Sequence, residues 1–228
     1  VRETAGFYRA HGKIAYLHKF GFEPSILGRL TNKQQHADVT FSGSLVAHPD
    51  YHLSRLHMVA ELSRRVNLDI YANALPEPWH ALSGPRLWDI FRHRRLRYVT
   101  DIHRVGRRNK GAVFGLDMFN ALYNSKIVFN THGDNSPRLA ANMRMTEATG
   151  CGALLLTDWK ENLSDYFIPD EEVVTYRSVA EAADKARELL RNDQLRSKIA
   201  QAGQARTRRE YSYALRMQEF ASFLYNYI

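Results

Sequence analysis

Short apolar runs separated by amphipathic stretches organise this chain. Val39-Thr40-Phe41-Ser42, Leu68-Asp69-Ile70-Tyr71, Lys126-Ile127-Val128-Phe129-Asn130, Ala153-Leu154-Leu155-Leu156-Thr157 and Val173-Val174-Thr175 are short enough, and rich enough in β-branched and aromatic residues, to predict strands. Helical spacing fills the intervals. A helix is predicted from about Tyr51 to Arg65, with Leu53, Leu56, Val59, Ala60 and Leu62 on its inner side. Others are predicted near Leu116–Tyr123 and over roughly Leu139–Thr149. In the tail, Ser178-Val179-Ala180-Glu181 has the form of a capping box, after which Val179, Ala183, Ala186 and Leu190 share one face. Two more helices are predicted, from Asp193 to about Arg209 and from Ser212 to Tyr225. Residues 1–36, broken by Gly6, Gly12, Gly21 and Pro24, read as an irregular or helical lead-in. Buried strands alternating with helices define an α/β class: a doubly wound parallel sheet with helices on both faces, over residues 37–228, ending in a helical tail.

Composition narrows the picture. The chain has 228 residues, 44% hydrophobic and 25% charged, which suits a folded α/β domain and excludes disorder and collagen-like repeats. Its longest apolar run, Ala153–Leu156, falls far short of the roughly 20 residues needed to cross a bilayer. The single cysteine, Cys151, leaves no internal disulfide and leads us to expect a reducing, cytoplasmic setting; beside a buried strand it is core filler rather than a nucleophile. A start at Val1, with no charged-then-apolar leader, is read as a segment of something longer. Net charge is +8, pointing to anionic or phosphate-bearing partners. Between Arg86 and Lys110 nine basic residues face only Asp89 and Asp101, so one stretch holds nearly all the excess.

In an open parallel sheet, ligands bind beyond the carboxyl ends of the strands. Three segments fall there. Gly43-Ser44-Leu45 follows the first strand, where a glycine lets backbone approach a phosphate; a tight turn explains it equally well. Residues 130–138 are dense in hydrogen-bonding side chains, among them His132, Asn135 and Arg138. The third runs from Asn142 to Asp158. In it Arg144 and Glu147 stand three apart on one helix face, a carboxylate suited to a vicinal diol beside a guanidinium suited to phosphate. Spacing alone favours an exposed ion pair there. His48 and His52 have i,i+4 spacing with His57 behind them, but without the cysteines or the acidic pattern of a metal site, so no metal is expected.

The run Arg144-x-x-Glu147-Ala148-x-Gly150-x-Gly152-Ala153 before a buried strand resembles the donor-binding segment of GT-B "group 1" glycosyltransferases, closest to the CgeB-like spore-maturation branch. His18-x-Phe20-Gly21-Phe22-x-Pro24, Val39–Ser44, Lys126–Asn130, Glu172-Val173-Val174-x-Tyr176 and Arg209–Tyr213 fall in the same order, so the likeness spans most of the chain. It implies a Rossmann-like domain that is one half of a GT-B fold and binds a nucleotide-diphosphate sugar such as a UDP- or GDP-hexose. It implies that Glu147 binds the ribose hydroxyls and Arg144 the diphosphate. Gly43 and Ser44 would lie under the phosphates, and His132, Asn135 and Arg138 near the nucleotide or sugar. No metal and no cofactor would be needed, since a helix N-terminus and basic side chains would meet the leaving-group charge. Many retaining members carry a second glutamate eight positions before the ribose-binding one, and here that position is Leu139. An N-terminal acceptor domain has no room in the chain, so the isolated domain is expected to be inactive.

Within 86–110, Trp88, Phe91, Tyr98, Ile102 and Val105 recur near helical spacing between arginines. A helix packed on the domain with a solvated basic face accounts for this; contact with an anionic membrane surface, which would make the protein membrane-peripheral, is the functional alternative. Two other classes stay open. One is a basic nucleic-acid-binding module, against which stand the confinement of the charge and the lack of a helix-turn-helix, RRM or zinc pattern. The other is a catalytically silent interaction domain that keeps the fold without the site.

Overall fold

The computed structural model describes residues 2–30, 33–45, 53–73, 96–133 and 137–227. Strands β1 (Ala37–Ser42), β2 (Leu68–Tyr71), β3 (Ser125–Asn130), β4 (Leu154–Asp158) and β5 (Val174–Tyr176) form one sheet. Their order is β2-β1-β3-β4-β5, with every neighbouring pair parallel. The chain steps outward from β1 to β2, then crosses back to β3 on the other side of β1. The carboxyl ends of β1 and β3 therefore flank the point where the winding reverses, the place such sheets keep open for ligands.

The helices are α1 (Arg2–Ala10), α2 (Leu53–Leu62), α3 (Leu96–Gly106), α4 (Gly115–Tyr123), α5 (Arg144–Gly150), α6 (Val179–Arg191), α7 (Asp193–Glu210) and α8 (Tyr213–Tyr225). Alternation along the central strands divides the core in two. Ile127, Phe129, Leu154 and Leu156 face one apolar cluster, with Leu56 and Val59 of α2, Ile102 and Val105 of α3 and Ala183 and Ala186 of α6. Val128 and Leu155 face the other, with Leu122 of α4, Met145 and Ala148 of α5, Phe22, Cys151 and Tyr211. Both faces of the sheet are covered, which is why its strands are apolar throughout rather than alternating with polar residues. The lead-in enters this second cluster through Phe22, whose backbone bridges to Ser212 next to α8.

Two expectations change. The helix predicted over Leu139–Thr149 begins only at Arg144. Asn162 holds the backbone of Ala140 from both sides, accepting from its N–H at 2.6 Å and donating to its carbonyl at 3.1 Å, so this segment stays non-helical. The capping box forms at Ser178, whose hydroxyl accepts from the Glu181 N–H, but the Glu181 carboxylate reaches the Arg177 N–H one residue further out. The predicted start at Tyr51, His48 and His52, and the basic stretch before Leu96, Trp88 and Phe91 included, lie outside the described residues. No described helix is long and apolar enough to cross a membrane.

Glycines set how closely layers approach. A Cβ on Gly203 of α7 would lie 2.3 Å from the Glu172 carbonyl oxygen, a backbone atom that cannot swing aside. An exposed helical glycine gains about 1 kcal/mol on replacement by alanine, whereas overpacking here costs about 1–3 kcal/mol. The clash should win: Gly203→Ala is expected to lower the midpoint of urea unfolding, and a raised midpoint would show that α7 packs less tightly than described.

Candidate functional site

The site is built on the carboxyl edge between β1 and β3, beside the first turn of α5. Arg144 reaches across this edge. Its Nε donates to the Ser42 carbonyl at the end of β1 (3.1 Å), and its Nη1 meets Glu147 Oε2 (2.8 Å) and Met118 Sδ of α4 (2.9 Å). The side chains of Arg144 and Glu147 are only 16% and 14% exposed, so this is a buried pair rather than the solvated one that spacing alone suggested. Burial pushes the Glu147 carboxyl above its ordinary value, with Arg144 pulling it back; burial likewise lowers Arg144, and Glu147 opposes it.

The glycines after Glu147 have packing explanations. A Cβ on Gly150 would meet the Phe22 ring at 2.4 Å, and Gly152 has φ +71°, the left-handed turn that ends α5 and starts β4. Cys151 between them is fully buried, with its thiol pushed up to about 12 by that burial, which leaves it without thiolate chemistry near neutral pH.

Beyond β3, Tyr176 of β5 stacks on Phe129 and donates its hydroxyl to the Asn130 carbonyl (2.8 Å). The Asn130 amide donates to Thr157 of β4 (2.9 Å) and accepts from Asn142 just before α5 (3.0 Å). Next along the chain, His132 is fixed by Asp158 at the end of β4. The carboxylate accepts from the His132 backbone N–H (3.1 and 3.2 Å) and from ring Nδ1 (2.7 Å), and Lys160 Nζ lies 3.1 Å away on its other oxygen. Burial raises the Asp158 carboxyl, but the His132 hydrogen bond, its imidazole and the Lys160 ammonium together hold it below the usual range. With Nδ1 bonded to Asp158, the other ring nitrogen of His132, Nε2, is left to interact. That atom and Asn142 Oδ1 are buried without a hydrogen-bond partner among the described residues. Such orphans cost about 1–3 kcal/mol each when nothing completes their bonding.

The residues proposed from sequence are partly brought together. Gly43 and Ser44 end β1 beside the Arg144 contact; Gly43 N–H donates to the Tyr71 carbonyl, and a Cβ there would sit 3.2 Å from the Phe41 ring. Arg138 lies at the exposed start of the segment leading to α5 and makes a two-pronged pair with Glu161, both bonds 2.9 Å. Asn135 lies outside the described residues. Three residues to which sequence reasoning gave no role take part: Asp158, Lys160 and Arg55. Arg55 of α2 donates to the Ser44 carbonyl (3.3 Å) and the Thr131 carbonyl (2.9 Å), strapping the β1 and β3 loops together. The only sequence signal for Asp158 was its place at a strand's carboxyl end. His57, from the histidine group, pairs with Asp101 and ties α2 to α3.

The fold is a parallel five-stranded α/β domain of the Rossmann-like class. A family model described as "Glycosyl transferase-like" matches residues 55–222, and the chain belongs to that family. The solved structures it resembles share the fold at low identity. HepE of Anabaena in complex with UDP and glucose is 13% identical with a TM-score of 0.68, over 99% of this chain and 61% of that one. Sucrose-phosphate synthase from Thermosynechococcus elongatus is 12% identical with a TM-score of 0.63, over 99% of this chain and 57% of that one. The C-terminal domain of the group 1 family glycosyl transferase LpcC from Francisella tularensis is 13% identical with a TM-score of 0.53, over 85% of this chain and all of that one. This chain thus spans about three fifths of the two longer proteins. Among curated protein sequences none matches it.

Because the folded chain holds Asp158 below its ordinary value of 3.8, the unfolded chain takes up this proton first as pH falls. The contribution of Asp158 to stability is complete above that value and is lost as pH drops through the folded one. Urea unfolding of Asp158→Asn should therefore depend less steeply on pH between about 5 and 3 than that of the native chain. Parallel slopes would mean that Asp158 is not charged and paired in the folded state.

Proposed function

We propose that this chain is the donor-binding half of a glycosyltransferase, taking a nucleotide-diphosphate sugar (UDP- or GDP-hexose) and transferring its sugar to an acceptor. The observation that carries the reading is the buried Arg144–Glu147 pair at the point where the sheet's winding reverses, anchored on the end of β1. A carboxylate fixed there can accept from both ribose hydroxyls. The Arg144 Nη2, which makes no hydrogen bond among the described residues, is left for a phosphate oxygen. Gly43 and Ser44 would face the phosphates, with His132, Asn135 and Arg138 towards the nucleotide or sugar. The reading is supported by the family match and by the complexes of HepE with UDP and with UDP-glucose, and the Arg144-x-x-Glu147 spacing favours the CgeB-like branch.

Transfer breaks the bond between the sugar's anomeric carbon and the diphosphate, and negative charge builds on the leaving oxygen. Arg144, and Lys160 next to Asp158, can stabilise that charge from a partly desolvated edge without a metal. The acceptor and the base that deprotonates it belong to a second domain. Its docking face is supplied by α8, which has no buried residue, and by the lead-in: Tyr16 lies against Phe220 and Phe223 with tilted rings, while Phe7, Ile14, Met217 and Tyr225 stay exposed. Large apolar side chains gathered on one side of a domain mark a face that something covers.

Calorimetric titration with UDP, GDP, CMP and ATP tests the donor site. One nucleoside diphosphate should bind, and Glu147→Ala should weaken it by about tenfold to a hundredfold, the worth of hydrogen bonds to a charged group. Equal affinity in native and variant chains would remove Glu147 from the site, and no binding of any of the four would overturn the donor-domain reading.

A further inference from the structure

A second, unrelated concentration of charge lies at the opposite end of the molecule. Helix α2 leads from the carboxyl end of β1 to the start of β2, so its last turn stands at the amino edge of the sheet, away from the donor edge. There Ser63 and Arg64 meet the outer side of α3 in a groove of about 780 Å³ lined by Val99, His103, Arg104, Arg107 and Arg108. Among the described residues four of the groove's walls are guanidinium groups, and no carboxylate lines it.

Solvation and helix geometry do not account for this arrangement. Cations near the end of α3 are favoured by its dipole, but that favours each alone and not their convergence. The nearby carboxylates are already shared. Glu61 serves both Arg64 and Arg65. Asp101, 5% exposed, faces Arg97, Arg104 and His57 at once. Arg107 and Arg108 make no ion pair among the described residues. A concave surface with forked donors on several sides matches the oxygens of phosphate groups, which guanidinium binds in pairs.

We propose that this groove is a binding site for a phosphate-bearing ligand, separate from the donor edge and independent of the reading of that edge. The ligand carries more than one phosphate or presents phosphates from a surface, since the groove is far larger than a single ion needs. A soluble phosphate ester and an anionic lipid headgroup share this chemistry. The folded basic helix from Leu96 onward gives the site to α3 and α2 jointly, rather than to a linear run of arginines.

The test is binding of inositol hexakisphosphate by calorimetry and retention on vesicles of phosphatidylcholine with and without phosphatidylglycerol. Arg107→Glu/Arg108→Glu changes two exposed side chains past the core, and Arg187→Glu/Arg191→Glu on α6 makes the same change in net charge elsewhere. The groove variant should lose about tenfold or more in affinity for inositol hexakisphosphate, and the α6 variant less than about twofold. Vesicle retention lost in the same groove variant assigns the phosphate to a lipid headgroup; binding of the hexakisphosphate alone assigns it to a soluble ester. Equal affinity in native and groove variant, or equal loss in both variants, overturns the proposal. So does a DNA duplex that binds more tightly than either probe through the same two arginines, which would make the groove a nucleic-acid surface.

Discussion

The structure turns on one buried ion pair. Arg144 and Glu147 sit at the reversal point of the sheet, and the guanidinium ties three elements together: the last carbonyl of β1, Met118 of α4 and its own helix α5. Taking two such charges out of water is costly, and a replacement by apolar groups of the same shape would often be as stable. Breaking the pair from one side is a different matter, because it strands a desolvated charge at a cost of about 3–5 kcal/mol. A pair of that kind contributes little net stability but holds one carboxylate in one place. At an edge where ligands bind, placement is what a recognition site requires.

Everything around the pair serves to keep α5 where it is. Gly150 lets the helix lie against Phe22, Thr149 hydrogen-bonds Thr207 of α7 at 2.6 Å, and Gln204 of α7 donates to the Gly150 carbonyl at 2.9 Å. On the other side Asn142, Asn130 and Tyr176 link the start of α5 to β3 and β5. The His132–Asp158 contact and the Arg55 strap fix the neighbouring loops. The β1–β3 edge is thus tied down on its sheet side. The exposed aromatic side chains of α8 and the lead-in are where the second domain of the proposed enzyme would dock.

The strands were legible because a parallel sheet covered on both faces needs unbroken apolar runs, and Leu154-Leu155-Leu156 can hardly be anything else. The capped helix after Ser178 was legible because its signal is local. What escaped reading depends on residues distant in sequence. The start of α5 was misplaced because Asn162, 22 residues after Ala140, holds that backbone out of the helix. Asp158 was given no role because its partner His132 lies 26 residues away, and Arg55 because its acceptor Thr131 is 76 away. Arg144 and Glu147 were picked out as a pair, yet nothing in an i,i+3 spacing distinguishes a solvated pair from a buried one. Burial there comes from α4 and the end of β1.

The β1–β3 edge and the start of α5 are the proposed nucleotide site. Amide hydrogen exchange with and without the nucleoside diphosphate that binds best measures this most directly. Slowed exchange is expected at residues 42–45, 131–133 and 144–147, with α3 and α8 unchanged. Protection confined to α3, or spread evenly over the chain, would contradict it.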